Sequence, residues 1–569
     1  IYKCELAKES LPLENSEPGP ESRVHQLVVW APQGNGFVYV HRNNIYYRPT
    51  AANIGEVQLT RTGSPGIIYH GIPDWVYEEE VFSSNTALWF SPDSKKLVFA
   101  TFNDSRTRVM SIPFYGLPNN MEFQYTHAVN IRYPKPGTPN PTIALSLINL
   151  EQALTERNFN VFPLQFPDSL VTSGDLNEPI MSAVTWSTDE SVVAIWMNRI
   201  QNEARIVSCE ARSGTCTEIF SISEDNGWVD LFTPPLFSQD GSRMLLIHPH
   251  DQGNRDPYRH ITMVQRNRVT AITSGRYTVT DIVAWDRRRN FIYYLATQES
   301  DPAVRHLFKV SDNPDIAPND PQCLSCSVKT VGDNTDCSYT AATFSRNNSY
   351  YTLTCAGPGV PEVSLFNSQN ERLALLESND DIRDTLRDKS LPRIKRLEVD
   401  VPGGYKAQVQ LLLPPTLDTS GQTKYPLLIN VYGGPDSYQI TKKFSIDWST
   451  YLTVNKSIIY AAIDGRGSGL KGNNMLFSIY RQLGDPEVED QVNVTRYLQE
   501  NLKYIDRERT AIWGWSYGGY ATGMSLAKDK RDVFKCGISV APVSDWIYYG
   551  RITFVVDKPT NRCNFQYFL

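Results

Sequence analysis

Trp513-Gly514-Trp515-Ser516-Tyr517-Gly518-Gly519-Tyr520 is the stretch that decides the fold. It holds a G-x-S-x-G pattern at Gly514, Ser516 and Gly518. Small residues around the serine let the chain turn sharply from a strand into a helix, leaving the hydroxyl exposed beside the helix N-terminus. The surroundings agree. Thr510-Ala511-Ile512-Trp513 reads as a short buried strand, and Tyr520 to Ala527 continue as a helix of small and apolar residues. The bare pattern recurs by chance, but a strand before it, a helix after it and an aromatic on each side of the serine point to a serine hydrolase.

In α/β-hydrolases the catalytic residues follow the chain order Ser, Asp or Glu, His. Here 53 residues follow Ser516, and none is histidine. All eight histidines (His25, His41, His70, His127, His248, His250, His260, His306) stand upstream. A serine hydroxyl without an imidazole to take its proton is a weak nucleophile. The sequence thus carries an elbow without its base.

A chain of 569 residues exceeds one hydrophobic core and predicts two or more domains. A net charge of -7 over that length, with no basic block and no acidic tail, argues against a nucleic-acid partner. No apolar run of 18 residues marks a membrane span. The first residue is Ile1, and no signal-like segment follows it, so the natural N-terminus is expected to lie outside this sequence. Nine cysteines include the neighbours Cys209 and Cys216, Cys323 and Cys326, and Cys337 and Cys355, which flank a strand-like stretch. Cys323-Leu324-Ser325-Cys326 matches half of a zinc site, but no second half completes it, and neither metal nor cofactor is expected. Sequons at Asn103, Asn347, Asn455 and Asn493 mark candidate glycosylation sites. With pairable cysteines they favour an extracellular or luminal, oxidising compartment. Cys4, Cys536 and Cys563 are an odd remainder.

Before about residue 385 a unit recurs: an apolar strand ending in an aromatic, a polar turn, then another apolar strand. Leu88-Trp89-Phe90-Ser91-Pro92-Asp93 precedes Lys96 to Ala100; Thr185-Trp186-Ser187-Thr188-Asp189 precedes Val192 to Trp196; Leu236-Phe237-Ser238-Gln239-Asp240 precedes Met244 to Ile247. Further copies begin at Val29, Ala284 and Thr343. A period of roughly 50 residues predicts a β-propeller, with a β-sandwich as the alternative. Ser378 to Ser390 reads as a charged helical connector, and from Pro392 strands alternate with helices. Pro426 to Tyr432 and Ser457 to Ile463 are near-continuous apolar runs, as expected of parallel strands buried on both faces. Val488, Val492, Thr495, Leu498 and Leu502 fall at helical spacing and predict a crossover helix. The predicted domains are therefore a propeller over 1–385 and an α/β domain over 386–569.

Tyr432-Gly433-Gly434-Pro435 ends a predicted strand where hydrolases place oxyanion donors. The Tyr432 hydroxyl and the Tyr517 backbone N–H are the candidate donors. Gly465-Arg466-Gly467-Ser468-Gly469 lacks the spacing of a phosphate-binding loop and reads as a strand-to-loop turn. Glu78-Glu79-Glu80 follows the aromatic stretch Asp74-Trp75-Val76-Tyr77. A charge run is usually a solvated face, but partial burial makes like charges costly unless they bind a cation.

Asp74 to Phe82, Asp464 to Gly469, Glu487 to Gln491, the elbow itself and Val540 to Ser544 together resemble dipeptidyl peptidase IV and fibroblast activation protein, of the prolyl oligopeptidase superfamily. The resemblance runs from about residue 25 to about residue 549. It implies an eight-bladed propeller with its N-terminal part missing, and an α/β-hydrolase domain truncated after the elbow. It implies a serine peptidase that removes X-Pro or X-Ala dipeptides from peptide N-termini, homodimeric when complete, and either secreted or anchored as a type II membrane protein. Residue by residue, it implies Ser516 as nucleophile and Tyr432 as oxyanion donor. Glu79 and Glu80 would bind the substrate ammonium, and Tyr517 and Tyr549 would line the proline pocket. The resemblance also implies disulfides Cys209–Cys216, Cys323–Cys326 and Cys337–Cys355, and a partner for Cys536 outside this sequence. The departures are an unmatched arginine of an early blade, a tail from Gly550 that no longer follows the family, and the absent triad Asp and His. They imply an inactive fragment or isoform; the alternative is a non-catalytic binding protein of the same fold. Retention of Ser516 favours the enzyme, and Glu79 and Glu80 have no use in a lipase or esterase.

Overall fold

The computed structural model describes residues 25–51, 55–156, 158–170, 178–253, 256–266, 268–315 and 321–550. It adds the backbone of four short strands, Tyr2–Lys3, Leu11–Pro12, Phe554–Val556 and Phe565–Tyr567. Cys4, Cys563 and the side chains of the divergent tail beyond Gly550 lie outside the described residues. The chain divides into two compact units, one mainly Ile1–Ser242 with Ile547–Pro559 and the other mainly Arg243–Trp546.

In the first unit the recurring motif becomes a series of antiparallel meanders. Leu27–Trp30, Phe37–His41, Asn44–Arg48 and Val57–Gln58 form one sheet. Ile68–His70, Leu88–Phe90, Lys96–Asn103, Thr142–Asn149 and Val161–Leu164 form the next. Ile180–Thr188, Ser191–Met197, Glu203–Glu210 and Cys216–Ser223 form a third. Inner strands such as Ser191–Met197 bury both faces, which explains their unbroken apolar runs.

The polar turn recurs because one acidic side chain does two jobs. Asp93 accepts from the Ser91 hydroxyl at 2.5 Å and from the Lys95 N–H at 3.1 Å, closing its own hairpin. Asp240 is held in the same way by Ser238 and by the Ser242 N–H. The turns also join consecutive sheets. The Asp93 N–H donates to Asp189 at 2.9 Å, Lys96 Nζ reaches the Asp189 carbonyl and Glu190, and the Trp186 indole N–H donates to the Trp89 carbonyl at 3.1 Å. Aromatic and turn residues of the repeat are thus the joints between neighbouring meanders.

The second unit continues the series through Arg243–Asp251, Pro257–Gln265 and Arg268–Ala271, then Val279–Asp286, Phe291–Gln298 and Asp301–Ser311, then Tyr339–Phe344, Tyr350–Gly357, Glu362–Asn367 and Arg372–Glu377. Disulfides join Cys209 to Cys216, Cys323 to Cys326 and Cys337 to Cys355, while Cys536 is free and exposed. The connector folds as the helix Asp380–Arg387.

A six-stranded mixed sheet follows, in the order Arg393–Val401, Tyr405–Leu413, Ile459–Asp464, Tyr425–Asn430, Ile505–Trp515, Cys536–Val540. The last four are mutually parallel, and the first two run antiparallel at one edge. The crossover helix is Pro486–Asn501, with proline at its start, where a missing N–H is harmless. The turn after Asp464 is tied to this helix. The Arg466 guanidinium grips Asp490 through Nε at 3.0 Å and Nη2 at 2.7 Å, and also reaches Glu489 at 2.8 Å. The Arg466 N–H donates to Asp490 as well, at 2.7 Å. Asp464 is itself buried and accepts from the Gln439 and Ile440 N–H groups.

Because the Asp490 side chain is fully buried, removing its cation leaves an uncompensated charge. Arg466→Met is expected to cost about 3–5 kcal/mol in urea unfolding. Adding Asp490→Asn should recover part of that loss, since both changes remove one interaction. An unchanged midpoint for the single variant would show that the pair does not hold the loop.

Candidate active site

Ser516 stands between the strand Ile505–Trp515 and the helix Tyr517–Lys528. Its backbone has φ 59° and ψ -118°, a conformation strained for any residue with a β-carbon. Close packing enforces it. A β-carbon on Gly514 would press on the carbonyl oxygens of Gly518 and Val431, and one on Gly518 would press on the Val431 carbonyl. A β-carbon on Gly519 would lie 2.8 Å from the Val540 carbonyl. The helix therefore crosses its strand, and the two flanking strand ends, at backbone contact. The Ser516 N–H donates to the Val540 carbonyl at 3.0 Å, and the Val431 N–H to the Trp513 carbonyl at 2.9 Å. Ser516 is left exposed at the N-terminal end of a 12-residue helix, where partial positive charge favours a developing anion.

Parallel register places Tyr432 beside the elbow. Asn430 pairs with Trp513, so Tyr432 and Trp515 leave the same end of adjacent strands. The Tyr432 and Tyr517 rings lie 6.1 Å apart. Tyr517 packs on Trp546 at 5.7 Å and on Tyr520 at 5.5 Å, and Tyr520 meets Trp546 edge-on at 4.9 Å. Behind the serine lies a wall of aromatic rings. The Tyr517 phenol turns inward and donates to Glu487 Oε1 at 2.8 Å. None of the described residues donates to, or accepts from, the Ser516 hydroxyl.

In the first unit, Trp75–Tyr77 forms a helical turn that widens into the turn Glu78–Phe82. Asp74, fully buried, starts it by accepting from the Val76 N–H at 3.1 Å. Tyr77 is buried within the rings of Phe82 and Phe102, which leaves Glu79 exposed and Glu80 half-buried. Burial pushes the Asp74 carboxyl well above the usual carboxylate range, and the nearby Asp104 adds to the rise. Burial likewise raises Asp104, to about 7, against the lowering effect of Arg132. Burial raises the Tyr133 phenol, and the charge of Glu80 raises it further. Tyr549 is half-buried and belongs to the same unit.

Residues 5–362 match the family described as the dipeptidyl peptidase IV N-terminal region, and residues 443–563 match the prolyl oligopeptidase family. The chain belongs to the dipeptidyl peptidase IV family. The venom dipeptidyl peptidase 4 of Apis mellifera is 40% identical over 531 residues, covering 92% of this chain and 66% of that protein. Dipeptidyl peptidase 4 of Bos taurus is 38% identical over 540 residues, covering 93% and 67%. The crystal structure of Porphyromonas gingivalis dipeptidyl peptidase 4 superposes with a TM-score of 0.78 at 26% identity, covering 92% of this chain and 69% of that one. The chain thus spans about two thirds of the length of its curated relatives. The family's serine-peptidase fold, a β-propeller with an α/β-hydrolase domain, is the fold of this chain.

Within that family fold, the structure brings Ser516, Tyr432 and Tyr517 together in one unit. Glu79, Glu80 and Tyr549 belong to the other. Sequence reasoning passed over Glu487, Tyr520 and Trp546. Glu487 stands in a motif quoted for resemblance, yet its spacing alone gave it only a place on an amphipathic helix. Of the sequons, Asn347 and Asn455 are exposed, while Asn103 and Asn493 are half-buried.

A single methyl group tests whether packing creates the elbow. Gly518→Ala sets a β-carbon against a backbone oxygen that no side-chain rotation can clear, so a loss of about 3 kcal/mol in denaturant unfolding is expected. Gly523→Ala, on the same helix with open space around it, should be neutral or slightly stabilising. Equal stability of the two variants would contradict this origin of the strain.

Proposed function

We propose that the whole protein is a serine dipeptidyl aminopeptidase that releases X-Pro or X-Ala dipeptides from peptides with free N-termini. The carrying observation is the strained, exposed Ser516 at the head of its helix, beside Tyr432. In this reading, the Ser516 hydroxyl oxygen attacks the carbonyl that follows the penultimate residue. The Tyr432 hydroxyl and the Tyr517 N–H stabilise the oxyanion. Tyr517 and Tyr549 enclose the proline ring, and Glu79 and Glu80 bind the ammonium. An enzyme that counts two residues from an N-terminus needs a fixed reference, and the α-ammonium is the one charge always there. Paired carboxylates hold it through charge-assisted hydrogen bonds and repel each other when empty.

The base is a separate matter. His70 is held between Thr62 and Thr101, and His260 between Thr273 and the Gly275 carbonyl. His250 bonds Thr262, and His306 bonds Ser325. His248 packs on His250, His25 on Tyr39, His41 on Tyr46 and His127 on Phe114. Four of the eight imidazoles are thus hydrogen-bonded, and the other four pack on aromatic rings. We therefore infer that a polypeptide of these 569 residues alone is inactive, and that turnover belongs to the whole protein. We further propose a propeller ending near residue 385 and a hydrolase domain from 386. The whole protein is read as an extracellular homodimer, secreted or membrane-anchored, glycosylated at Asn103, Asn347, Asn455 and Asn493. No described helix is long and apolar enough to cross a membrane.

Kinetics on a Gly-Pro-linked reporter test the reading. The whole protein should cleave it, Ser516→Ala should abolish cleavage, and the 569-residue polypeptide should stay at background. In the whole protein, Glu79→Ala or Glu80→Ala should cost about 2–4 kcal/mol in kcat/KM. Acetylating the substrate N-terminus should cost the same, and the two losses should not add. A double Glu79→Ala, Glu80→Ala enzyme that still prefers free N-termini would make these residues a solvated acidic face. Full turnover by the 569-residue polypeptide would overturn the assignment of the base.

A further inference from the structure

A buried acid lies directly behind the elbow and takes no part in the chemistry above. Glu487, the second residue of the helix Pro486–Asn501, is 2% exposed. Its Oε1 accepts both the Tyr517 phenol and the Gly484 N–H. Its Oε2 is also buried and has no hydrogen-bond partner among the described residues. Gly484, at φ 80°, is packed against the Tyr520 hydroxyl, while Glu487 itself holds Tyr517. Lys528, at the far end of that helix, donates to the Gly484 carbonyl and to Asp485 at 2.7 Å. The elbow helix is therefore anchored to one turn at both ends.

An ionised carboxylate in this place would leave one oxygen buried without a donor, which is costly. A neutral carboxyl carries a proton on that oxygen and still accepts through the other. The surroundings agree: burial pushes the Glu487 carboxyl upward, against the lowering bonds from Gly484 and Tyr517. The charged and titratable groups facing it are Tyr517 and Tyr520 from the elbow helix, with Lys528 and Asp485 beyond the turn. Arg466 is committed to Asp490 and Glu489, further along Glu487's own helix.

We propose that Glu487 is a positioning residue for the nucleophile elbow, an uncharged buried carboxyl that locks Tyr517 by its phenol. Tyr517 is bonded covalently to Ser516, so a fixed phenol fixes the ring, the backbone N–H and the serine together. Tyr517 is itself 2% exposed, so the lock lies beneath the elbow. This inference rests on Ser516 being the nucleophile.

In the whole protein, Glu487→Gln keeps an acceptor without charge and should hold kcat within about threefold of wild type. Glu487→Leu removes the acceptor and should lower kcat on the order of 100-fold, with a smaller change in KM. Tyr517→Phe should also lower kcat, and combining it with Glu487→Leu should add little, because both break one contact. Wild-type kcat in Glu487→Leu, or equal losses in the Gln and Leu variants, would overturn the proposal. A second measurement needs no turnover. A carboxyl raised in the fold stabilises it below its ordinary range, and that stability is lost as pH rises through the raised value. Wild type should therefore lose unfolding midpoint relative to Glu487→Gln as pH rises above the ordinary carboxylate range, and a constant difference would overturn the neutral carboxyl. If every form, wild type included, lacks turnover, the nucleophile reading fails while the pH comparison still judges Glu487.

Discussion

The missing β-carbon of Gly518, which would otherwise press on the Val431 carbonyl, sets the geometry of the elbow. Only glycine lets the helix Tyr517–Lys528 lie this close to the strand Tyr425–Asn430, and that closeness leaves no room for a relaxed turn at Ser516. The strain at φ 59° is maintained because the sheet on one side and the helix on the other over-determine it. In return, the serine is left exposed at a helix N-terminus. The same closeness brings the end of the neighbouring strand, and hence Tyr432, to the elbow.

Buried ionisable groups then fix the loops that the sheet alone would leave mobile. Arg466 with Asp490 pins the turn after Asp464, Asp464 pins the segment carrying Gln439 and Ile440, and Glu487 pins the elbow helix. In the first unit Asp74 does the same for the glutamate-bearing turn. Each is costly to bury, and hydrogen bonds from nearby donors offset that cost.

Much of this was legible in the sequence because it rests on local rules. The elbow needs small residues at fixed offsets, and Gly514, Gly518 and Gly519 are there. The repeat needs an aromatic, a turn acid and a strand, and Trp89, Asp93 and Lys96 to Ala100 supply them. The elements were shorter in sequence than in space: the predicted strand Thr510–Trp513 is the end of Ile505–Trp515, since charged Arg507, Glu508 and Arg509 mask its first half. The antiparallel edge strands Arg393–Val401 and Tyr405–Leu413 went unpredicted because half their side chains are polar and face outward. Glu487 was not legible as a tyrosine anchor: its partner lies 30 residues away, and burial of a carboxyl leaves no local mark.

The central claim is that packing has made Ser516 a nucleophile. The most direct measurement is covalent: the whole protein is treated with a fluorophosphonate, digested, and the adduct located by tandem mass spectrometry. The account predicts a single adduct, on the Ser516 hydroxyl, lost in Ser516→Ala. An active protein that is labelled at another serine, or that stays unlabelled while it cleaves peptide, would contradict it.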